Sequence, residues 1–424
     1  MPAEEFHTTD PCATRRQESS VDMEEQKSDT ETTQEVVVAM KLDAWQKNCE
    51  VNGLPGQISE SIADRLRLTG LQSLELRGSR CGFRLEDEHI GVIAVCLQQT
   101  GAQLHTLALT YHLISGSGVQ HMANSLLGGI VNQEAITLMR LDLEGNGIKD
   151  DGLRHLQLHD SRLCPLTYLN LSGNPLGENG GMVLADSLRS NVTLEELLVN
   201  NCDFTLTALV GISNGVGEQG YDSTLKAIEI NRPIVPQYAP GEESIEHFSR
   251  LLGKIPLLSH ISLKYHIMLD SGARLFAQNL GKTELMISLD LECNKIGVAG
   301  AEALASYLIV QARAGRKSLE TLKLSHNIIA DAGAIALSHA LTENKSLRCL
   351  TLKSNSIGQS GLVALGNTLN TNNTLEYLSL FGNDFNNEVG KQYDSLISDR
   401  LPYVGLSLDV KTYLVDGVYN IAEI

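Results

Sequence analysis

Residues 346–369, SLRCLTLKSNSIGQSGLVALGNTL, decide the fold, because the spacing of their apolar residues changes partway along. Leu350 and Leu352 are two residues apart, as on the buried face of a β-strand. Leu365 and Leu369 are four residues apart, as on the buried face of an α-helix. The stretch therefore predicts a short strand, then a turn and a helix.

The same pattern recurs along the chain, and each unit opens on a leucine or a methionine. Five of the ten intervals between units are 28 residues, and the other five are 31 to 34. Such a period marks a repeat array, in which a unit buries its apolar faces only against its neighbours. We predict an α/β solenoid with a concave parallel sheet, convex helices and about eleven repeats. The units begin at Leu71, Leu104, Leu138, Leu166, Leu194, Leu225, Leu258, Met286, Leu319, Leu347 and Leu375.

Two further positions of the unit are nearly as regular as the leucines. Position 15 is glycine in seven units, and position 9 is asparagine in six: Asn146, Asn174, Asn294, Asn327, Asn355 and Asn383. The pattern LxxLxLxxN, followed by a helix rich in glycine and alanine, resembles the leucine-rich repeat superfamily in its ribonuclease-inhibitor-like class. This resemblance covers residues 71–398 and implies a horseshoe shape. It does not fix a function, because the superfamily is defined by its architecture.

The segments outside the array predict three further parts. Residues 1–40 hold ten acidic residues against three basic ones and predict a disordered acidic tail. Residues 41–70 predict a helical N-terminal cap, closed by Trp45 with Leu66 and Leu68. Residues 399–424 predict a C-terminal cap with a β-hairpin, because Asp-Gly at 416–417 separates two runs of strand-forming residues.

Composition excludes several classes of protein. A formal net charge of −18 argues against direct nucleic-acid binding, which needs clustered lysine and arginine. The sequence has no N-terminal signal pattern, no apolar run of 18 residues and no CxxC pair among its eight cysteines. We expect an intracellular protein, located in the cytoplasm or nucleolus, that does not contact membranes and is a monomer in isolation.

Functional residues are expected on the concave face, because positions 3, 5 and 7 of each unit lie opposite the buried leucines. These positions carry charges of both signs and, toward the C-terminus, aromatic side chains, which fits a protein-binding surface. The candidate partner-binding residues are Arg140, Asp142, Glu144, Tyr168, Asp290, Glu292, Lys323, Lys353, Tyr377 and Phe381. A proline-containing insertion, residues 231–244, adds a rim loop with Ile234, Val235 and Tyr238 as candidates.

Motifs for chemistry are scarce. The sequence has no Walker A, HExxH or paired-cysteine metal motif, so we expect no enzyme, no metal and no cofactor. Asp142 with Glu144, and Asp290 with Glu292, are each two residues apart on a strand and leave open a cation site or an acid–base pair.

The preferred interpretation is a non-catalytic scaffold that binds a protein partner through its concave face and C-terminal rim. The segment KTYLVDGVYNIAE (411–423), with the preceding repeats, resembles a leucine-rich repeat protein associated with the nucleolus and with germ and pluripotent cells. The resemblance implies a role related to ribosome biogenesis. One alternative is a structural subunit of a ciliary or flagellar axoneme, and another is an enzyme inhibitor of the ribonuclease-inhibitor type.

Overall fold

The computed structural model describes residues 34–127, 138–160, 163–235, 242–283, 285–317, 319–399 and 405–424. Within these ranges, twelve strands form one parallel sheet in chain order, as the solenoid prediction requires. Eleven of the strands belong to the eleven predicted units, and the twelfth comes from the segment assigned to the C-terminal cap. The strands are β1 (Ser73–Arg77), β2 (Thr106–Thr110), β3 (Arg140–Asp142), β4 (Tyr168–Asn170), β5 (Glu196–Leu198), β6 (Ala227–Glu229), β7 (His260–Ser262), β8 (Ser288–Asp290), β9 (Thr321–Lys323), β10 (Cys349–Thr351), β11 (Tyr377–Ser379) and β12 (Ser407–Leu408).

Helices follow the strands and lie on the other side of the solenoid. They are α1 (34–51), α2 (Gly56–Leu68), α3 (Asp87–Thr100), α4 (Gly116–Met122, continued by a π-helical segment Ala123–Leu127), α5 (Asp150–His155), α6 (Gly177–Leu188), α7 (Leu206–Glu218), α8 (Glu242–Leu251), α9 (Asp270–Leu280), α10 (Val298–Arg313), α11 (Ala330–Glu343), α12 (Gln359–Leu369) and α13 (Asn387–Asp399). A short 3₁₀ turn, Gly220–Asp222, follows α7. None of the described helices has both the length and the apolar character needed to cross a bilayer.

The strands are stacked in register, so equivalent positions of successive units form straight rows. Leu350 of β10 is paired with Leu322 of β9 and Leu378 of β11, and all three side chains are completely buried. Neighbouring strands lie about 4.8 Å apart, whereas packed helices need roughly 8–10 Å. The sheet is therefore concave and the helical side is convex, as predicted.

The asparagines at position 9 form a buried row that holds the turns between units. The Asn327 amide donates to the carbonyl of Leu324 in its own unit (2.9 Å) and of Leu291 in the preceding unit (3.0 Å). Its oxygen accepts from the backbone N–H of Ile296 (2.9 Å). One side chain thus satisfies backbone groups of two units that neither sheet nor helix can pair.

Two histidines take the place of asparagine in this row, which the sequence pattern did not single out. His266 is completely buried, and its Nε2 donates to the carbonyl of Ile230 in the preceding unit (2.5 Å). His112 is also buried, and its Nδ1 accepts from the backbone N–H of Leu85 (3.0 Å). Burial lowers the pKa of both imidazoles to about 4, so both are neutral at pH 7.

Position 8 has a left-handed backbone in every unit from the second to the eleventh, with φ between 52° and 78°. This conformation turns the chain out of the strand while its N–H continues the ladder to the next unit. Tyr111, for example, donates to the carbonyl of Glu144 (2.8 Å) and His326 to that of Lys353 (2.7 Å). The ten residues are Tyr111, Gly145, Gly173, Asn201, Arg232, Tyr265, Cys293, His326, Ser354 and Gly382.

Glycine at position 15 permits close approach between successive helices. A Cβ at Gly361 would lie 2.5 Å from Cγ2 of Ile357 and 3.0 Å from Cβ of Ala334. Both distances are too short for a side chain, so glycine fits best at this position even though it destabilises a helix.

The N-terminal end is covered by α1 and α2. Trp45 and Leu66 are completely buried, as the cap requires, but Leu68 is 86% exposed and does not take part. It faces solvent because it is the last residue of α2, off the helix stripe that carries Ile58, Ile62 and Leu66. The described part of helix α1 already includes residues 34–40 of the segment assigned to the tail. Residues 1–33 lie outside the described residues, and a disordered tail there stays a prediction.

At the C-terminal end, β12 adds to the sheet and a separate antiparallel hairpin follows. Its strands are β13 (Val410–Val415) and β14 (Val418–Glu423), joined by Asp416 and Gly417 with φ of 49° and 79°. The hairpin packs on α13, where the Thr412 hydroxyl donates to Asp394 (2.6 Å) and the N–H of Tyr419 to Asn387 (2.7 Å). It therefore covers the last helix instead of extending the sheet.

Candidate functional site

The concave face consists of the side chains at positions 3, 5 and 7 of successive strands. We divide it into an N-terminal portion on β1–β5, a central portion on β6–β10, and a C-terminal portion on β11, β12 and the hairpin. The three portions differ in how their charges are paired.

In the N-terminal portion the structure brings together two of the predicted residues from adjacent strands. The Arg140 guanidinium carbon lies 3.9 Å from the centroid of the Tyr168 ring, a cation–π contact. Arg140 also lies 3.9 Å from the carboxylate of Glu196 on β5. Burial raises the pKa of Tyr168 to about 12, so its hydroxyl keeps its proton.

Asp142 and Glu144 lie one strand away from a second cation–π contact, which Arg77 and Tyr111 form. Asp142 Oδ1 accepts from the backbone N–H of Glu144 (3.0 Å), and the Tyr111 hydroxyl donates to the Glu144 carboxylate. This hydrogen bond raises the pKa of Tyr111, and burial raises the pKa of Asp142. The Arg77 guanidinium stacks 4.8 Å above the Tyr111 ring. Each carboxylate thus has a hydrogen-bond donor from this chain.

The central portion is a network in which charges of both signs are paired. Asp290, nearly buried, lies 3.0 Å from Lys264 Nζ and 3.5 Å from Lys323 Nζ. Glu292 lies 3.7 Å from Lys264 and accepts from the Thr351 hydroxyl two repeats away (2.7 Å). Burial alone would lower the pKa of Lys264, but the carboxylates of Asp290 and Glu292 raise it above its ordinary value.

This pairing weighs against the acid–base or cation-binding interpretation of Asp290 and Glu292. Two ammonium groups already occupy the space beside Asp290 that a metal ion would need. Among the residues that the structure describes, no three or more histidine, cysteine or acidic side chains are arranged to hold a metal ion. The network can orient a partner by its fixed charge pattern.

At the border of the central and C-terminal portions, two of the predicted residues, Lys353 after β10 and Phe381 after β11, contact the hairpin or each other. Lys353 pairs with Glu423 of β14, and its Nζ lies 5.2 Å from the centroid of the Phe381 ring. The hydrogen bond that Lys353 donates to Glu423 raises the pKa of Lys353. Asp409 accepts from the Ser379 hydroxyl (2.5 Å) and from the N–H of Leu380 (2.6 Å).

The aromatic side chains of this portion differ in exposure. Tyr377 is 38% exposed at the start of β11, whereas Phe381 is half-buried and packs against the core. Tyr377 is therefore the better candidate for an aromatic contact with a partner.

The rim loop is only partly described. Ile234 is exposed and its N–H donates to Phe204 (2.8 Å), whereas Val235 is half-buried against the core. Tyr238 lies outside the described residues. The rim gains a contact that the sequence did not predict, because the Arg232 guanidinium lies 4.5 Å above the ring of Tyr265, which is 42% exposed.

Several residues of the face were not among the candidate contacts, although Lys264 and Thr351 were expected on its exposed side. Lys264, Arg77 and Thr351 occupy positions 7, 7 and 5 of their units and follow the same rule as the predicted residues. Tyr111 was missed because position 8 looks like a turn in the sequence, and only its left-handed backbone directs the ring beside Glu144. Glu423 was missed because no repeat spacing connects the hairpin with Lys353.

Comparisons with known proteins agree with this architecture. A sequence model described as "Leucine Rich repeat" matches residues 135–156, 162–185, 285–305, 317–338, 343–366 and 371–388. The chain is 25% identical to the ribonuclease inhibitor of Sus scrofa over 68% of its own length and 52% of that protein. It is 24% identical to NACHT, LRR and PYD domains-containing protein 14 of Mus musculus over 71% of its own length and 25% of that protein. The chain thus spans a quarter to a half of these relatives.

One solved structure with a similar trace is that of a TLR13–ssRNA13 complex. It has a TM-score of 0.42 and 20% sequence identity, and the match covers 74% of this chain and 40% of that chain. The twelve-stranded parallel sheet, the outer helices and the matched repeats define an α/β leucine-rich repeat solenoid. The matched segments and the resemblance to ribonuclease inhibitor support membership of the leucine-rich repeat superfamily.

Proposed function

We propose that this protein is a non-catalytic scaffold that binds a protein partner through its concave face and C-terminal rim. The observation that carries the proposal is the row of charged and aromatic side chains on the inner face, held rigidly by in-register strands. Aromatic and arginine side chains among paired charges are typical of protein interfaces. The candidate contacts remain Arg140, Asp142, Glu144, Tyr168, Asp290, Glu292, Lys323, Lys353, Tyr377 and Phe381, with Ile234, Val235 and Tyr238 at the rim.

A nucleolar role related to ribosome biogenesis in germ or pluripotent cells is the finer form of this proposal. It is supported by the resemblance of residues 411–423, with the preceding repeats, to leucine-rich repeat-containing protein 34. Loss of nucleolar co-localisation under nucleolar stress would agree with this role. Retention in axonemes through high-salt extraction would favour a ciliary or flagellar subunit instead.

Inhibition of an enzyme is the lower alternative, favoured by the similarity to ribonuclease inhibitor. That class relies on repeats rich in cysteine and tryptophan, whereas this chain has eight cysteines and one tryptophan. Lack of inhibition in a ribonuclease assay with the purified chain would remove this alternative.

The scaffold proposal is tested by proximity labelling in the native cell, followed by capture of the labelled partner with Tyr377→Ala. We expect capture to fall about tenfold, since an aromatic anchor at an interface contributes about 1–2 kcal/mol, while thermal unfolding stays nearly unchanged. Tyr221→Ala is the matched control, because Tyr221 is 84% exposed and lies on the turn after α7, away from the concave face. Equal loss of capture in both variants would contradict an aromatic contact at β11.

A further inference from the structure

A cavity of about 360 Å³ opens at the N-terminal end of the concave face and shares Asp142 and Glu144 with the candidate contacts of the proposed function. Helix α2 and the first strands form its walls. Its charged lining consists of Arg65, Arg77, Arg80, Glu75, Asp142 and Glu144. Three arginines therefore line one small concave space.

The carboxylates of this cavity already have hydrogen-bond donors. Glu144 accepts from the Tyr111 hydroxyl, and Asp142 accepts from the N–H of Glu144 (3.0 Å). Glu75 accepts from the hydroxyl of Ser73 (3.3 Å). At least one acceptor site of each carboxylate is thus occupied by a donor other than an arginine.

The arginines, in contrast, have donor groups to spare. Within the described ranges, Arg65, Arg77 and Arg80 make no ion pair within 4.0 Å, whereas Lys264 and Lys323 in the central portion are both paired. Arg77 stacks on the ring of Tyr111 and interacts with its hydroxyl, which engages only part of the five N–H groups of a guanidinium. Arg65 contacts only a cysteine sulfur at 3.7 Å, and its buried Nε has no hydrogen-bond partner in the described structure.

We propose that Arg65, Arg77 and Arg80 form an oxyanion-binding pocket that receives an acidic side chain of a protein partner. The planar guanidinium fork matches a carboxylate or a phosphate with two parallel hydrogen bonds. The cavity is large enough for one such group. A long polyanion is disfavoured, because three carboxylates line the same walls and the whole chain has a net charge of −18. This proposal rests on the proposed scaffold function and specifies that the partner presents an acidic group.

The test uses the full chain and three fluorescein-labelled peptides, measured by fluorescence anisotropy. The first peptide carries three consecutive glutamates, the second carries glutamines in their place, and the third carries a single phosphoserine. We expect the glutamate peptide or the phosphoserine peptide to bind and the glutamine peptide not to bind. Whichever of the glutamate and phosphoserine peptides binds more tightly shows whether the pocket receives a carboxylate or a phosphate.

Variants then connect the binding to the pocket. We expect Arg77→Gln with Arg80→Gln to raise the dissociation constant by about tenfold or more, since charge-assisted hydrogen bonds are lost. Arg77→Lys with Arg80→Lys keeps the charge but loses the fork, so we expect an intermediate loss. Arg250→Gln on the convex helix α8 is the matched control and is expected to bind as the unchanged chain does. If the first double variant unfolds, Arg80→Gln alone replaces it, because Arg80 is exposed.

Three results would overturn the pocket. They are no binding of either anionic peptide by the unchanged chain, equal binding of the glutamine peptide, and equal loss in Arg250→Gln. Each of these leaves partner capture through Tyr377 intact, so failure of the pocket is distinguishable from failure of the scaffold function.

Discussion

The two ends of the concave face use the same strand positions in opposite ways. At the C-terminal end, Glu423 of the hairpin pairs with Lys353, and Asp409, which connects β12 to the hairpin, accepts hydrogen bonds from Ser379 and Leu380. At the N-terminal end, Arg77 and Arg80 line an open cavity without ion pairs among the described residues. A basic residue on a strand is therefore not always free to bind a partner, because a neighbouring segment of the chain can pair with its charge.

The largest expected effect tests whether the two ends share one core. Leu74→Ala in β1 and Leu350→Ala in β10 remove completely buried side chains at the same position of their units. We expect each to lower the free energy of unfolding by about 2–5 kcal/mol, because a cavity replaces the side chain. Urea denaturation followed by circular dichroism measures both. A cost below about 1 kcal/mol at one end only would contradict a common core.

The second-largest expected effect is a pH dependence of stability in the units that have histidine instead of asparagine at position 9. The pKa of His266 is about 4 when folded and ordinarily 6.5, so the unfolded chain takes up a proton first as the pH falls. Stability from His266 is complete above pH 6.5 and is lost between pH 6.5 and 4. This loss is on the order of 3 kcal/mol.

His266→Asn introduces the asparagine that six other units have at this position, and we expect it to reduce this pH dependence. The measurement is the free energy of unfolding at pH 7 and at pH 4.5. His159→Asn changes an exposed histidine and serves as the control. An unchanged pH profile in His266→Asn would show that the imidazole is not the group that titrates.

The smallest expected effect concerns the hairpin. Glu423→Gln removes the pairing of Lys353, and we expect a loss of about 0.2–1 kcal/mol that shrinks at high salt, because both groups are partly exposed. Glu376→Gln, which breaks the exposed pair with Arg348, is the control for a pair without a hairpin. Equal partner binding before and after Glu423→Gln would mean that the hairpin does not limit access to Lys353.

The fold was predictable because the spacing of apolar residues that specifies it lies within each unit and recurs from unit to unit. Leu350 and Leu365 identify strand and helix by spacing alone, and in-register stacking follows from repetition. The unit length also indicated the row of asparagines, whose side chains satisfy backbone groups of the turns. The sequence did not indicate that His112 and His266 enter this row, since their substitution for asparagine is visible only once position 9 is aligned in the irregular units.

The site was less predictable, because its contacts join residues that no spacing connects. The strand positions of Arg140 and Tyr168 could be assigned from the repeat, and their stacking followed from adjacent strands. The pairing of Lys353 with Glu423 could not, since it depends on where the hairpin lies on α13. The cavity at Arg65 depends in the same way on how α2 closes the first strand.

The left-handed residues at position 8 carry a consequence for how such a surface changes over time. Left-handed backbone is costly mainly for β-branched side chains and proline, and the ten positions contain none of these. They do contain glycine, asparagine, arginine, tyrosine, cysteine, histidine and serine. Substitutions among residues of these kinds therefore change the side chains displayed at these turns without introducing a residue type that the left-handed backbone disfavours most.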